Sequence, residues 1–297
     1  MKLTKYHLVV PLLILAAGIL VGYWISTLAI TDSEQQNYES ASSVSTSYHY
    51  PPFGDQDYYN EAWDNVEVSE PISTQGAIIP HHLVAKELIA ELLATISETN
   101  PTTIVVIGPN HMFLGRGQII TSDYDWKTPW GIMEVDREIT TQLANNNLAR
   151  IEPLAMAEEF SVSNEVAFLK KVFPDAKLVP LIIKDTLARH KSTELAAKLD
   201  AILPAESLII VSADFSHETT SEVADTRDAT SIEVLQNFAL ADIDLIEVDT
   251  KPSLRTLLTY LELRGATNWK LVNNSNSAKI LNKDFPDATS YITGYFY

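Results

Sequence analysis

The chain has 297 residues, with 21 Lys+Arg against 39 Asp+Glu, a net charge of −18 and a hydrophobic fraction of 46%. That apolar content supports a real core and excludes wholesale disorder, and the acidic balance excludes a nucleic-acid binder working through backbone phosphates. Cys is absent, which excludes disulfides, thiolate nucleophiles and Cys-ligated metal sites.

Residues 8–30 form an uncharged apolar run. About 20 such residues cross the hydrocarbon core. A cleaved signal peptide, with Thr27 and Ala29 at its cleavage site, is the rival reading, but its apolar region is usually about 7–15 residues long. Lys2 and Lys5 precede the run, and no base follows it until Lys86. The positive-inside rule therefore places the N-terminus in the cytoplasm and the remainder outside, as a single-pass protein of the cell membrane. The predicted organisation is an anchor over 1–30, a polar linker over 31–74 and an α/β domain over 75–297. Tyr58, Tyr59 and Trp63 are candidates to dock the end of the linker on that domain.

From Gly76 onward, apolar runs alternate with amphipathic ones. The pattern predicts strands over 77–79, 103–107, 118–121, 178–183, 208–212, 269–273 and 291–296. It predicts helices over 82–96, 135–146, 163–173, 193–203, 222–239 and 253–263. Fully apolar runs such as IVVI and LIIV suggest strands buried on both faces. The expected fold class is α/β, with a mainly parallel central sheet flanked by helices.

Three of these apolar strands run straight into a His-bearing turn: GAIIPHH with His81 and His82, TIVVIGPNH with Asn110 and His111, and LIIVSADFSH with Asp214, Ser216 and His217. The carboxyl ends of strands in an open α/β sheet line one crevice, so three strands deliver imidazoles to one place. Imidazole with carboxylate is a general divalent-metal ligand set. His7, His49 and His190 require no functional account. Gly115-Arg116-Gly117 reads as a loop. Neither a P-loop pattern nor a Gly-x-Ser-x-Gly elbow occurs, and Ser212 and Ser216 read as caps of the next helix. Glu158-Glu159 reads as an exposed charged pair.

Taken in order, these turns resemble the MEMO family, AmmeMemoRadiSam system protein B. IIPH at 78–81 looks like the family's first histidine turn, and IGPNH at 107–111 like its Gly-Pro-x-His turn. KTPW at 127–130, VSADFSH at 211–217 and SYITG at 290–294 look like its later segments. The resemblance implies a fold similar to class III extradiol dioxygenases, with a metal pocket at the strand ends. By matched motifs, His81 and His111 take metal-ligand positions, and Asp214 and His217 take the pocket Asp and His. His82, Asn110, Ser216 and Glu159 are expected in the pocket. The family's Glu-His-Ser-x-Glu segment stands here as Glu159-Phe160-Ser161-Val162-Ser163. Its third ligand, a Cys ahead of a helix, is matched by Asp249. The resemblance thus implies a divalent transition metal (Fe, Zn or Cu) and non-haem oxidoreductase or dioxygenase-like chemistry on a small molecule. The alternative is an inactive binding or scaffold module with a protein partner.

Overall fold

The computed structural model describes residues 47–68, 70–283 and 286–297. The expected anchor lies outside the described residues. Among the described residues no helix is long and apolar enough to cross a membrane.

The chain enters through β1 (Tyr48–His49), α1 (Gln56–Asn60) and a 3-10 turn over Glu61–Trp63. These residues pack on the domain. Tyr59 and Ala62 are fully buried, and the Tyr59 ring meets Phe168 edge-on at 4.9 Å. Then follow β2 (Gly76–Ile79), α2 (Lys86–Thr95), β3 (Thr103–Pro109), β4 (Ile119–Thr121), β5 (Asp125–Thr128), β6 (Gly131–Met133), α3 (Arg137–Asn145), β7 (Arg150–Ile151), α4 (Pro153–Ala157) and α5 (Phe160–Val172). The remainder comprises β8 (Lys177–Ile183), α6 (Arg189–Ile202), β9 (Ser207–Ser212), α7 (Ser221–Gln236), α8 (Lys251–Arg264), β10 (Trp269–Asn276), α9 (Ser277–Ile280) and β11 (Ser290–Phe296).

Eight strands form the central sheet in the order β10-β11-β2-β9-β3-β8-β4-β7, and β1-β5-β6 form a small second sheet. The inner strands β2, β9, β3 and β8 are parallel, as their apolar runs predict. The sheet as a whole is mixed rather than mainly parallel, because β10, β11 and β4 add antiparallel pairings. For β4 the cause is connection length: a parallel return needs a crossover of a dozen or more residues. Residues 110–118 after β3 are too few for one, so β4 runs back along β8.

Alternate residues of each inner strand enter opposite cores, as the two-residue period of a strand requires. Ile209 and Val211 of β9 pack with Leu195 of α6, Leu235 of α7 and Leu257 of α8. Leu208 and Ile210 pack with Leu92 of α2 and Phe168 of α5. Helices thus cover both faces and leave the carboxyl ends of the strands for a site.

Candidate metal centre

The order β2-β9-β3 makes the three His-bearing strands neighbours. Their turns therefore emerge side by side: His81 beyond β2, Asp214 beyond β9 and His111 beyond β3. Asp249 arrives from the segment ahead of α8, where its N–H donates to Asp214 O at 3.1 Å. One ligand atom each of His81, His111 and Asp249 lies within 4.8 Å of the others. The three residues with which the sequence fills the ligand positions thus meet at one point.

His81 is buried and held at both ends. Its N–H donates to Asp214 Oδ1 at 3.2 Å, and its carbonyl accepts from Asn164 Nδ2 at 2.8 Å. Ser212 Oγ donates to Ser161 O at 2.6 Å, so it accepts the hydrogen of His81 Nδ1 at 3.1 Å. That fixes the tautomer. The lone pair on Nε2 then faces Asp249 Oδ2 at 3.3 Å and Asp214 Oδ2 at 3.6 Å. Burial lowers the His81 pKa to about 4, against the pull of Asp249, so His81 Nε2 carries no proton at neutral pH. Asp249 Oδ1 is buried without a hydrogen-bond partner among the described residues. Asp249 Oδ2 accepts the Asp214 N–H at 3.3 Å, so Oδ1 is the oxygen left unsatisfied, and an unsatisfied buried acceptor is costly.

His111 is oriented by Glu159. Its backbone N–H donates to Glu159 Oε2 at 2.8 Å and its Nδ1 to Oε1 at 2.9 Å. Glu159 also caps α5 by accepting from Ser161 N–H at 3.0 Å. One carboxylate therefore fixes the helix start and the imidazole together, and leaves His111 Nε2 toward Asp249 Oδ2 at 3.6 Å. Burial works to lower the His111 pKa, but Asp249 and Glu159 outweigh it and raise it to about 9. Of these two, Glu159 makes the firmer contact, since 3.6 Å is beyond a hydrogen bond. Glu159 itself is buried, not exposed as its acidic run suggests; only Glu158 beside it faces solvent. A ligating His whose other nitrogen donates to a carboxylate is the usual arrangement at metal sites. Gly108 permits this geometry: a Cβ there would lie 2.8 Å from Ser161 Cβ.

A cleft of about 420 Å³ opens on His81 and His111, lined also by His82, Phe160, Asn164, Asp214 and His217. Burial raises the Asp214 pKa to about 6, while His82 and His217 pull it down. His217 is exposed. His82 Nδ1 hydrogen-bonds Tyr291 Oη at 2.7 Å.

The Memo-like protein family matches residues 47–292. The chain belongs to this family. A MEMO1 family protein of Caldivirga maquilingensis is 26% identical over 216 residues, covering 68% of this chain and 76% of that one. One of Nitrosopumilus maritimus is 21% identical, covering 74% and 82%. One of Thermotoga maritima is 30% identical, covering 48% and 53%. Among solved structures, an uncharacterized protein of Escherichia coli K12 gives a TM-score of 0.48 at 14% identity, covering 75% of this chain and 99% of that one.

Within this Memo-like domain two expected pocket residues turn elsewhere. Asn110 Nδ2 donates to Leu114 O, and its Oδ1 accepts from Leu114 N–H, both at 2.9 Å, so it staples its own turn. Ser216 Oγ points to Asp228 Oδ1 at 3.4 Å on α7. Glu165 escaped the sequence reading, in which Phe160 stood only as part of the Glu159–Ser163 segment. The Phe160 ring stacks on His111 at 4.5 Å, and Glu165 is buried with both carboxyl oxygens unpartnered among the described residues. Burial pushes the Glu165 pKa well above the usual range. Nothing local marks Glu165.

Proposed function

We propose that this Memo-like chain is a membrane-anchored, extracytoplasmic metalloprotein that binds one divalent transition metal ion, of the Fe, Zn or Cu class, through His81 Nε2, His111 Nε2 and Asp249. The observation that carries the reading is the convergence of the His81 lone pair, His111 Nε2 and the Asp249 carboxylate, whose Oδ1 is buried without a hydrogen-bond partner among the described residues. Two imidazoles and one carboxylate suit non-haem iron and zinc. Such an ion supplies Lewis-acid or one-electron chemistry to a small molecule in the cleft. The chain's own residues do the rest. Ser212 and Glu159 hold the two imidazoles in the ligating tautomer. Asp214 fixes the His81 backbone, and His217, exposed at the cleft wall, takes up or gives a proton to the substrate. An oxidoreductase or dioxygenase-like reaction fits this set.

The alternative, a binding module without catalysis, draws on Phe160, which covers part of His111 where the family segment carries a His. The cleft beside the ring remains open, which favours the metalloenzyme. The anchor and its orientation rest on residues 8–30, Lys2 and Lys5. The test is the metal content of the purified full chain after reconstitution, compared with His81→Ala and His111→Ala. One ion per chain, lost in both variants, is expected. A wild-type chain that retains no ion defeats the proposal.

A further inference from the structure

We infer that a second cavity, separate from the metal cleft, binds a small organic phosphomonoester. It has a volume of about 610 Å³ and lies at the outer edge of the central sheet, between the end of α3, β7, residues 116–119 and the start of α6. It shares no lining residue with the cleft on His81 and His111, so the inference does not rest on the metal.

The charge of its wall is opposite to that of the chain. The chain carries a net −18, yet Arg116, Arg150 and Lys191 line this cavity, with Glu152 as its one carboxylate. Glu152 is already engaged. Its Oε2 accepts the Arg116 N–H at 2.7 Å, and its Oε1 pairs with Arg150 Nε at 3.0 Å. That leaves the terminal guanidinium nitrogens of Arg150 and the whole guanidinium of Arg116 without an acceptor among the described residues. Lys191 Nζ meets Glu194 at 2.6 Å in an exposed pair, which is worth little in water.

A fourth cation stands behind the wall. Lys184 is 8% exposed. Its N–H donates to Gln118 O at 3.0 Å and its Nζ to Gly115 O at 2.9 Å, and no carboxylate pairs with it among the described residues. A lysine is almost never buried without such a partner, and a buried charge is screened less than an exposed one. Gly117 in turn fixes the lie of Arg150: a Cβ there would come 3.2 Å from Arg150 Cβ and Cδ, so the stem rests against the bare backbone. Two guanidinium forks and an ammonium suit a dianionic phosphate, which takes bidentate contacts from arginine. Beyond these groups Ile119, Ala144, Leu148 and Leu187 offer apolar surface, so the body of the ester is apolar. The volume is that of a small-molecule site.

The test is calorimetric titration of the purified full chain, freed of metal by chelation, with naphthyl phosphate, naphthol and inorganic phosphate. One site per chain for the ester is expected, with naphthol and inorganic phosphate both much weaker. Arg116→Gln and Arg150→Gln should each weaken the ester about tenfold. Lys86→Gln removes a cation of α2 that pairs with Glu61 and should leave binding unchanged. Ala144→Phe narrows the apolar end and should weaken the ester while sparing inorganic phosphate. No saturable binding at millimolar ester overturns the inference, as does naphthol binding as tightly as its phosphate. Equal affinity in Arg116→Gln and Lys86→Gln, or displacement of the ester by zinc, places the anion elsewhere and overturns it too.

Discussion

Metal affinity should rise steeply with pH between 7 and 9, because a proton on His111 must leave before Nε2 can ligate. In the metal-free protein that imidazole titrates at about 9, held up by Asp249 and Glu159 against burial. At pH 7 two pKa units separate it from the ligating form, which at about 1.36 kcal/mol each is about 2.7 kcal/mol, or roughly 100-fold in affinity. The ring is 26% exposed, so solvent screening makes this an upper limit. His81, at about 4, is neutral throughout and adds no slope. Competition with a chromogenic zinc chelator from pH 6.5 to 9.5 measures the profile, and calorimetry in buffers of different ionisation enthalpy counts the proton. An increase approaching tenfold per pH unit up to about 9, with close to one proton released per ion near pH 7.5, is expected. The same shift has a stability sign. A histidine pKa raised above its unfolded value stabilises fully below about 6.5, and that contribution is lost as pH rises through about 9. The metal-free chain should lose thermal stability over that window. A flat affinity profile with no proton release would refute the reasoning.

Three substitutions probe the supports. Ser212→Ala removes the acceptor of His81 Nδ1–H and should lower metal affinity about 10- to 100-fold, read by the same competition; unchanged affinity would mean that the tautomer is fixed otherwise. Gly108→Ala forces Ser161 and the start of α5 outward, costs about 1–3 kcal/mol in overpacking, and should weaken metal binding through Glu159; wild-type melting and affinity would contradict it. Tyr59→Ala empties a fully buried site and should cost about 3–5 kcal/mol in urea unfolding; a loss under about 1 kcal/mol would show that the entry segment does not contribute to the fold.

The inner strands were readable because strands buried on both faces are continuous apolar runs, and their order in space turned three separate His turns into one site. Asp249 was placed only by matching the helix after it to the family's, and the structure brings it beside His81 and His111. The strands β1, β5, β6 and β7 escaped because two to four residues without a continuous apolar run, such as DWKT and RI, carry too little pattern to register. The antiparallel pairings escaped because direction is set by loop length and partner choice rather than by composition. Glu159 was misread as exposed since an acidic pair gives no sign that one member caps a helix and holds a histidine 48 residues away. Asn110 and Ser216 sit in the right turns, but a side chain's direction is decided by its nearest partners, Leu114 and Asp228, which the motif does not contain.

The most direct measurement is anomalous diffraction from crystals of the full chain reconstituted with Fe, Zn or Cu, recorded on both sides of the metal edge. One peak should lie within about 2.0–2.3 Å of His81 Nε2, His111 Nε2 and an Asp249 oxygen. A strong peak elsewhere, or none at these donors in crystals shown to contain the metal, would contradict the assignment of the site.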